Sequence, residues 1–298
     1  MEMARQQTIF EGVATALITP MTEDGVNFEQ YGRLIDWQIS EGIDALVIAG
    51  TTGEGSTLTD EEHKACIKYA VERVAGRVPV IAGTGSNHTD YGVQLTQYAC
   101  EAGADAALIV TPYYNKATQN GLVKLFEEYA ASCDIPIIAY NVPSRTGVNI
   151  EPSTYVKLAE IDNVVAIKEA NSNISKIVDT FSLVGDKLDL YSGNDDQITP
   201  LLAMGAKGVI SVLSNVVPAE TRAICTKFFE GDVAGSAALQ CKYNELVKDL
   251  FCEVNPIPVK EAMVLLGYCD PIIRSPLYRM EEQNLAKLKS TMQGLGII

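Results

Sequence analysis

Eight short, β-rich apolar runs recur along the chain, each followed by a stretch with amphipathic helical spacing, and this alternation constrains the fold more than any other feature. The runs cover residues 12–18, 45–49, 78–82, 106–110, 136–140, 164–167, 188–192 and 208–212. Helical patterns occupy 28–41, 60–75, 89–102, 119–132, 152–160, 174–183, 197–204 and 219–230. Strands that are apolar on both faces and separated by helices form a parallel sheet with the helices packed outside it. Eight such units in about 230 residues fit a (β/α)8 TIM barrel in count and length. An open doubly wound sheet is the alternative; the strand count and the lack of a G-x-G-x-x-G after the first run weigh against it.

From residue 231 onward the pattern is helical with no further strand, continuing through 257–266 and 281–292. The expectation is therefore an α/β chain with a catalytic barrel over 1–230 and a small C-terminal helical region over 231–298. Local signals agree. Asp60, ahead of Glu61 and Glu62, reads as a helix N-cap, and Pro152 stands where a helix start tolerates a missing N–H.

The seven cysteines of the 298 residues are scattered without a C-x-x-C, and an odd number cannot all pair internally, which fits a reduced compartment. The N-terminal stretch has no sustained apolar run, and no segment reaches membrane-spanning length, so the expected location is cytoplasmic. A net charge of -15 argues against nucleic-acid and anionic-membrane partners, which need a basic face. Neither histidine, His63 nor His88, stands in a metal-ligand spacing, so no metal site is expected.

Within the run at 164–170, VVAIKEA, one residue does not belong to a buried strand. Side chains alternate faces, so Ala166, Lys168 and Ala170 share one side and Val165 and Ile167 the other. Burial disfavours an ammonium and lowers its pKa, leaving free amine able to attack a carbonyl and form a Schiff base. Two plainer readings stand beside this: a strand-end lysine whose head snorkels to water, and a core lysine paired with a carboxylate. Glu169 faces the opposite side and reads as a structural partner rather than as the base for this lysine.

The C-terminal strand ends carry the chemistry in barrels of this kind. The second run ends in AGTTGEGS, whose glycines admit close approach of a ligand and whose Thr51 and Thr52 supply hydroxyls and N–H groups. A tight strand-to-helix turn would need the same glycines. The fourth run ends in TPYYN, 111–115, and the fifth in AYNVPSRTG, 139–147. Tyr140 should face inward with Ile138 if the register matches that of Lys168, where its hydroxyl could relay a proton. Arg145 offers a planar fork to a carboxylate, although a loop arginine is by default a surface residue.

Taken in order, GTTGE (50–54), TPYYN (111–115), YNVPSRTG (140–147), IKEA (167–170), SGND (192–195), GVISV (208–212) and NPIPVK (255–260) closely resemble the pyruvate-dependent class I aldolases, the family of the N-acetylneuraminate lyases. The resemblance spans essentially the whole chain. It implies a cofactor-independent lyase that holds pyruvate as an imine. The Thr-Thr form of the first motif and the arginine of YNVPSRTG resemble the branch that joins pyruvate to L-aspartate 4-semialdehyde, giving 4-hydroxy-tetrahydrodipicolinate on the diaminopimelate route to lysine. A lyase for a keto-deoxy sugar acid or for N-acetylneuraminate, and a non-catalytic regulator on the same barrel, are the alternatives.

Position by position, the resemblance implies Lys168 as the imine-forming lysine and Tyr140 as its proton donor and acceptor. Thr51 would link Tyr140 to Tyr114, which reaches a neighbouring subunit's site, so a homo-oligomer is expected: at least a dimer, with dimers pairing into a tetramer. Thr52 would bind the pyruvate carboxylate and Arg145 that of the semialdehyde, with Gly193 and Ile210 lining the pocket. An allosteric lysine pocket would fall at Ser56, Asp60, His63, Asn87, Tyr91 and Tyr113. Inhibited relatives commonly carry histidine and glutamate where this chain has Asp60 and Tyr91, so weak or absent inhibition is expected.

Overall fold

The computed structural model describes residues 8–298. The first seven residues, which belong to the expected barrel segment 1–230 and to the N-terminal stretch read above, lie outside the described residues. Eight parallel strands close into a barrel: Gly12–Ala16, Ala45–Ile48, Val80–Gly83, Ala106–Val110, Ile137–Asn141, Val164–Glu169, Asp189–Ser192 and Gly208–Ser211. Each pairs with its sequence neighbours, and the first pairs with both the second and the eighth, so the sheet has no free edge. All eight expected strands are present.

Three apolar clusters account for the packing. The barrel interior holds small and medium side chains, among them Ala14, Ala45, Val47, Ile81, Ala106, Leu108, Ile138, Ala166 and Ile210, with Tyr191 stacked on Phe10 at 4.2 Å. Outside it, the second half of the barrel packs Ile109, Ala139, Ile167 and Leu190 against Phe126, Tyr129, Tyr155 and Leu158 from the helical layer. The first half does the same and extends into the C-terminal helices Val233–Leu250, Ile257–Leu265 and Glu282–Gly294, whose Leu246, Leu250, Met263, Leu288 and Met292 join Val13, Leu17 and Ile224. Burial of this kind, at about 25 cal/mol per Å², is the dominant favourable term in folding.

Two sequence expectations are corrected. Val165 does not share the outer side with Ile167. The ladder between the fifth and sixth strands runs Ile137 to Val164 and then Ile138 to Ala166, so Val165 is an extra residue at a bulge and packs against the interior cluster. Asp60 is the first helical residue and not the N-cap. Thr59 caps helix Asp60–Val74: its hydroxyl accepts from Glu62 N at 3.2 Å while Glu62 Oε2 accepts from Thr59 N at 3.0 Å. Pro152 does begin its helix, Pro152–Leu158.

Loops add elements that composition did not signal. Met21–Thr22 and Gly25–Val26 form a small hairpin, and Pro143–Thr146 forms a single helical turn directly after the fifth strand.

Candidate active site

After the bulge, the register of the sixth strand places Lys168 between Tyr140 on the fifth strand and Tyr191 on the seventh. The Lys168 side chain is buried, with Nζ 4.3 Å from the centre of the Tyr140 ring. Burial dominates its chemistry. It lowers the Lys168 pKa from 10.5 to about 7; the buried Asp195 carboxylate partly opposes this and the Arg145 guanidinium adds to it. Burial likewise pushes the Tyr140 phenol up to about 12, so it remains a proton donor at neutral pH. Of the three readings of this lysine, the snorkelling one does not fit a side chain that is 6% exposed.

The nearby carboxylates are committed to structure. Asp195 accepts from Ser211 Oγ at 2.5 Å, Val212 N at 3.0 Å and Leu213 N at 2.9 Å, which locks the seventh strand end to the eighth. Glu169 faces outward, as its place in the strand predicts. It accepts from Asn141 Nδ2 at 3.0 Å, Asn171 N at 2.8 Å and the Tyr155 hydroxyl at 3.0 Å. Its own burial raises its pKa to about 7 despite these bonds.

The other predicted residues gather at the same rim. Thr52 is buried and its hydroxyl oxygen accepts from Asn255 Nδ2 at 3.0 Å. Arg145 is exposed on the turn Pro143–Thr146 and donates through Nη2 to the Asn255 carbonyl at 3.1 Å. Ile210 is buried in the barrel interior. Gly193 must be glycine for steric reasons: its N–H donates to the Glu169 carbonyl at 2.7 Å, and a Cβ there would stand 2.8 Å from that of Ala170.

Two members of the expected relay are not joined within one chain. Thr51 is exposed at the barrel mouth, and Tyr114 is 91% exposed with a left-handed φ of 70°. Among the described residues, no hydrogen bond connects the Thr51 hydroxyl to Tyr140 or Tyr114.

The six residues of the expected allosteric pocket fall into local groups. Asp60 pairs with Lys64 Nζ at 2.8 Å, and its charge adds to the burial that raises the Tyr91 pKa. Asn87 Nδ2 donates to the Tyr113 carbonyl at 3.2 Å. His63 is buried with Nε2 2.9 Å from the Gly83 carbonyl oxygen, and burial lowers its pKa. Ser56 is exposed on the turn Gly55–Thr57.

Sequence reading assigned no role to Asn255, Asp195, or the buried ion pair between Glu54 and Lys260. All four stand inside motifs quoted above. A polar or charged residue in an otherwise apolar run such as NPIPVK was the available signal.

A closed parallel barrel with a buried lysine of depressed pKa beside a tyrosine, at the C-terminal strand ends, is the arrangement of a class I aldolase-type lyase. Residues 9–295 match the profile of the dihydrodipicolinate synthetase family. The chain is 53% identical to a 4-hydroxy-tetrahydrodipicolinate synthase of Acetivibrio thermocellus, over 98% of this chain and 100% of that one. The fold matches a dihydrodipicolinate synthase from Aquifex aeolicus with a TM-score of 0.95 at 46% identity, covering 97% of this chain and 99% of that one. A similar enzyme from Cyanidioschyzon merolae, solved with lysine bound, matches with a TM-score of 0.94 at 36% identity over 98% and 100% of the two chains. The chain belongs to the dihydrodipicolinate synthetase family.

Proposed function

We propose that this barrel condenses pyruvate with L-aspartate 4-semialdehyde through an imine on Lys168, giving 4-hydroxy-tetrahydrodipicolinate on the route to lysine. The observation that carries the mechanism is the burial of Lys168, which brings its pKa to about 7 and so supplies amine at neutral pH. That amine attacks the keto carbon of pyruvate, and loss of water leaves the imine. Tyr140, protonated and beside Nζ, donates to the departing oxygen and then receives the methyl proton as the imine becomes an enamine. The enamine carbon bonds to the aldehyde carbon, whose oxygen takes up a proton. The amino group of the adduct then displaces Lys168 by transimination, closing the ring and regenerating the free lysine. The imine nitrogen is the electron sink throughout.

Thr52 and Arg145 read as the two carboxylate contacts, one for each substrate. Asn255 touches both, so the two stand close together at one site, which supports a pocket that takes two carboxylates. The exposed ring of Tyr114 supports a homo-oligomer of at least two chains in which that hydroxyl completes the relay of a neighbour through Thr51, and the family resemblance implies that dimers pair into a tetramer. A cytoplasmic location fits this biosynthetic role; among the described residues no helix is long and apolar enough to cross a membrane.

Borohydride reduction with pyruvate, followed by intact mass, tests the mechanism. A mass increase located on Lys168 is expected, and no adduct would sink it. Supplying L-aspartate 4-semialdehyde, a sugar aldehyde and N-acetylmannosamine in turn as acceptors tests the substrate; product should form with the first alone.

A further inference from the structure

Asn255 lies just before helix Ile257–Leu265 and is buried, and it serves two different neighbours. Its Nδ2 donates to the Thr52 hydroxyl oxygen at 3.0 Å, and its backbone carbonyl accepts from Arg145 Nη2 at 3.1 Å. Its Oδ1 is equally buried and has no hydrogen-bond partner among the described residues. An unmatched buried acceptor costs free energy that an apolar side chain of the same shape would not. Packing alone therefore does not account for an amide at this position.

The polarity of the contact with Thr52 does account for it. A hydroxyl offers one proton and two lone pairs. When one lone pair takes the Asn255 N–H, the proton is left for an acceptor on the other side, and an ionised carboxylate is purely an acceptor. The contact is also braced. Glu54, two residues beyond Thr52, is ion-paired with Lys260, five residues beyond Asn255, both of them buried, and Glu54 Oε2 accepts from Arg274 N at 3.3 Å. The loop bearing Thr52 and the helix following Asn255 are thus tied at a second point.

The geometry points to Asn255 as a positioning residue that holds the Thr52 hydroxyl as a donor toward the keto-acid carboxylate. This rests on the proposed function, in which Thr52 receives pyruvate. Because Arg145 meets the backbone of Asn255, substitution of the side chain leaves that second contact available, and the effect falls on pyruvate.

The test is the pyruvate concentration that half-saturates borohydride trapping on the full chain, measured for Asn255→Ala, Thr52→Val and the double variant. Asn255→Ala should raise it roughly tenfold, the scale of one lost hydrogen bond, with KM for the aldehyde changed less than twofold. The double variant should be no worse than Thr52→Val alone, since Asn255 acts through that hydroxyl. An unchanged half-saturation in Asn255→Ala, or effects that multiply in the double variant, would overturn the inference. If Asn255→Ala does not fold, Asn255→Leu, which keeps the volume and removes the donor, carries the same comparison. Wild-type protein that is not trapped at all would instead overturn the proposed function.

Discussion

Tyr140 and Lys168 are direct register partners on adjacent parallel strands, and the lysine Nζ stands 4.3 Å from the centre of the tyrosine ring. Strand pairing therefore fixes the amine and the phenol next to each other before any loop is placed. Two groups held by a closed sheet lose little freedom when substrate arrives, which is the structural basis of oriented proton transfer. Among the described residues the one other buried lysine, Lys260, is ion-paired with Glu54 and is no replacement. Lys168→Ala is expected to abolish borohydride trapping and lower turnover by several orders of magnitude with the circular dichroism spectrum preserved. Near-normal turnover would refute the assignment.

The pKa of Lys168 sets a pH profile. Below about 7 the amine is mostly protonated, so the rate of imine formation should rise about tenfold per pH unit there and level off above 7. Stability follows the opposite partner of the same equilibrium. Because the folded value lies below the ordinary 10.5, the unfolded chain binds more protons between the two values, and stability rises with pH across that window. Replacing the lysine with methionine removes the penalty, so Lys168→Met should melt several degrees higher below pH 7, and the gap should shrink as pH climbs toward 10.5. A pH-independent gap in thermal melts would contradict the burial argument.

Arg145 is exposed and tethered by one bond to the Asn255 carbonyl, which leaves most of its donors for a ligand. Arg145→Ala is expected to raise KM for the semialdehyde by roughly one to two decades, the loss of one charge-assisted contact of about 1.5–3 kcal/mol, and KM for pyruvate much less. Steady-state kinetics with each substrate varied in turn decides this; equal effects on both would show a different role.

How much of this was legible beforehand follows from what each feature depends on. The eight strands and their helices are local patterns of apolar residues, and they were readable. The inward placement of Lys168 with Tyr140 followed from alternation plus one assumption about register. Val165 was misassigned because a bulge is a property of two paired strands, and composition along one strand does not reveal where its neighbour slips. Asp60 was read as the N-cap although Thr59, the residue before it, is of an equally suitable type; Glu62, placed to return the hydrogen bond to Thr59, decides between them, a spacing that was present in the sequence. Asn255 escaped because its partners, Thr52 and Arg145, lie 203 and 110 positions away.

The exposure of Tyr114 makes the oligomer testable through chemistry. If its hydroxyl closes a partner's relay, Tyr114→Phe should lower kcat about a hundredfold, the lower end of a lost general acid-base contribution, with both KM values little changed. Dilution that dissociates the protein, followed by analytical ultracentrifugation, should lose activity in step with association. A fully active monomer would contradict the reading.

Feedback by lysine turns on Asp60 and Tyr91. The family resemblance implies histidine and glutamate at these two positions in lysine-inhibited members, whereas this chain has its acidic group at the first and a phenol at the second. The exchange would preserve attraction for a dicationic ligand only if Asp60 were at liberty to meet it. It is not an N-cap, so no backbone N–H of the helix start claims it in that role, but it is already engaged: Lys64 Nζ lies 2.8 Å away. A lysine ligand would have to displace a resident ammonium from the same carboxylate, exchanging one charge-assisted bond for another with little net gain. Tyr91 itself offers a neutral phenol, its pKa raised by burial and by the nearby Asp60 charge. Relative to a pocket with an unshared carboxylate, the deficit is one charge-assisted hydrogen bond, about 1.5–3 kcal/mol or roughly one to two decades in affinity. Inhibition by L-lysine is therefore expected to be weak or absent, and Tyr91→Glu, which adds a carboxylate not held by Lys64, is expected to introduce or strengthen it. Initial rates against L-lysine check both: half-inhibition of the wild-type protein at submillimolar lysine, on the order of the Kd expected for an intact charged site, would show the argument wrong.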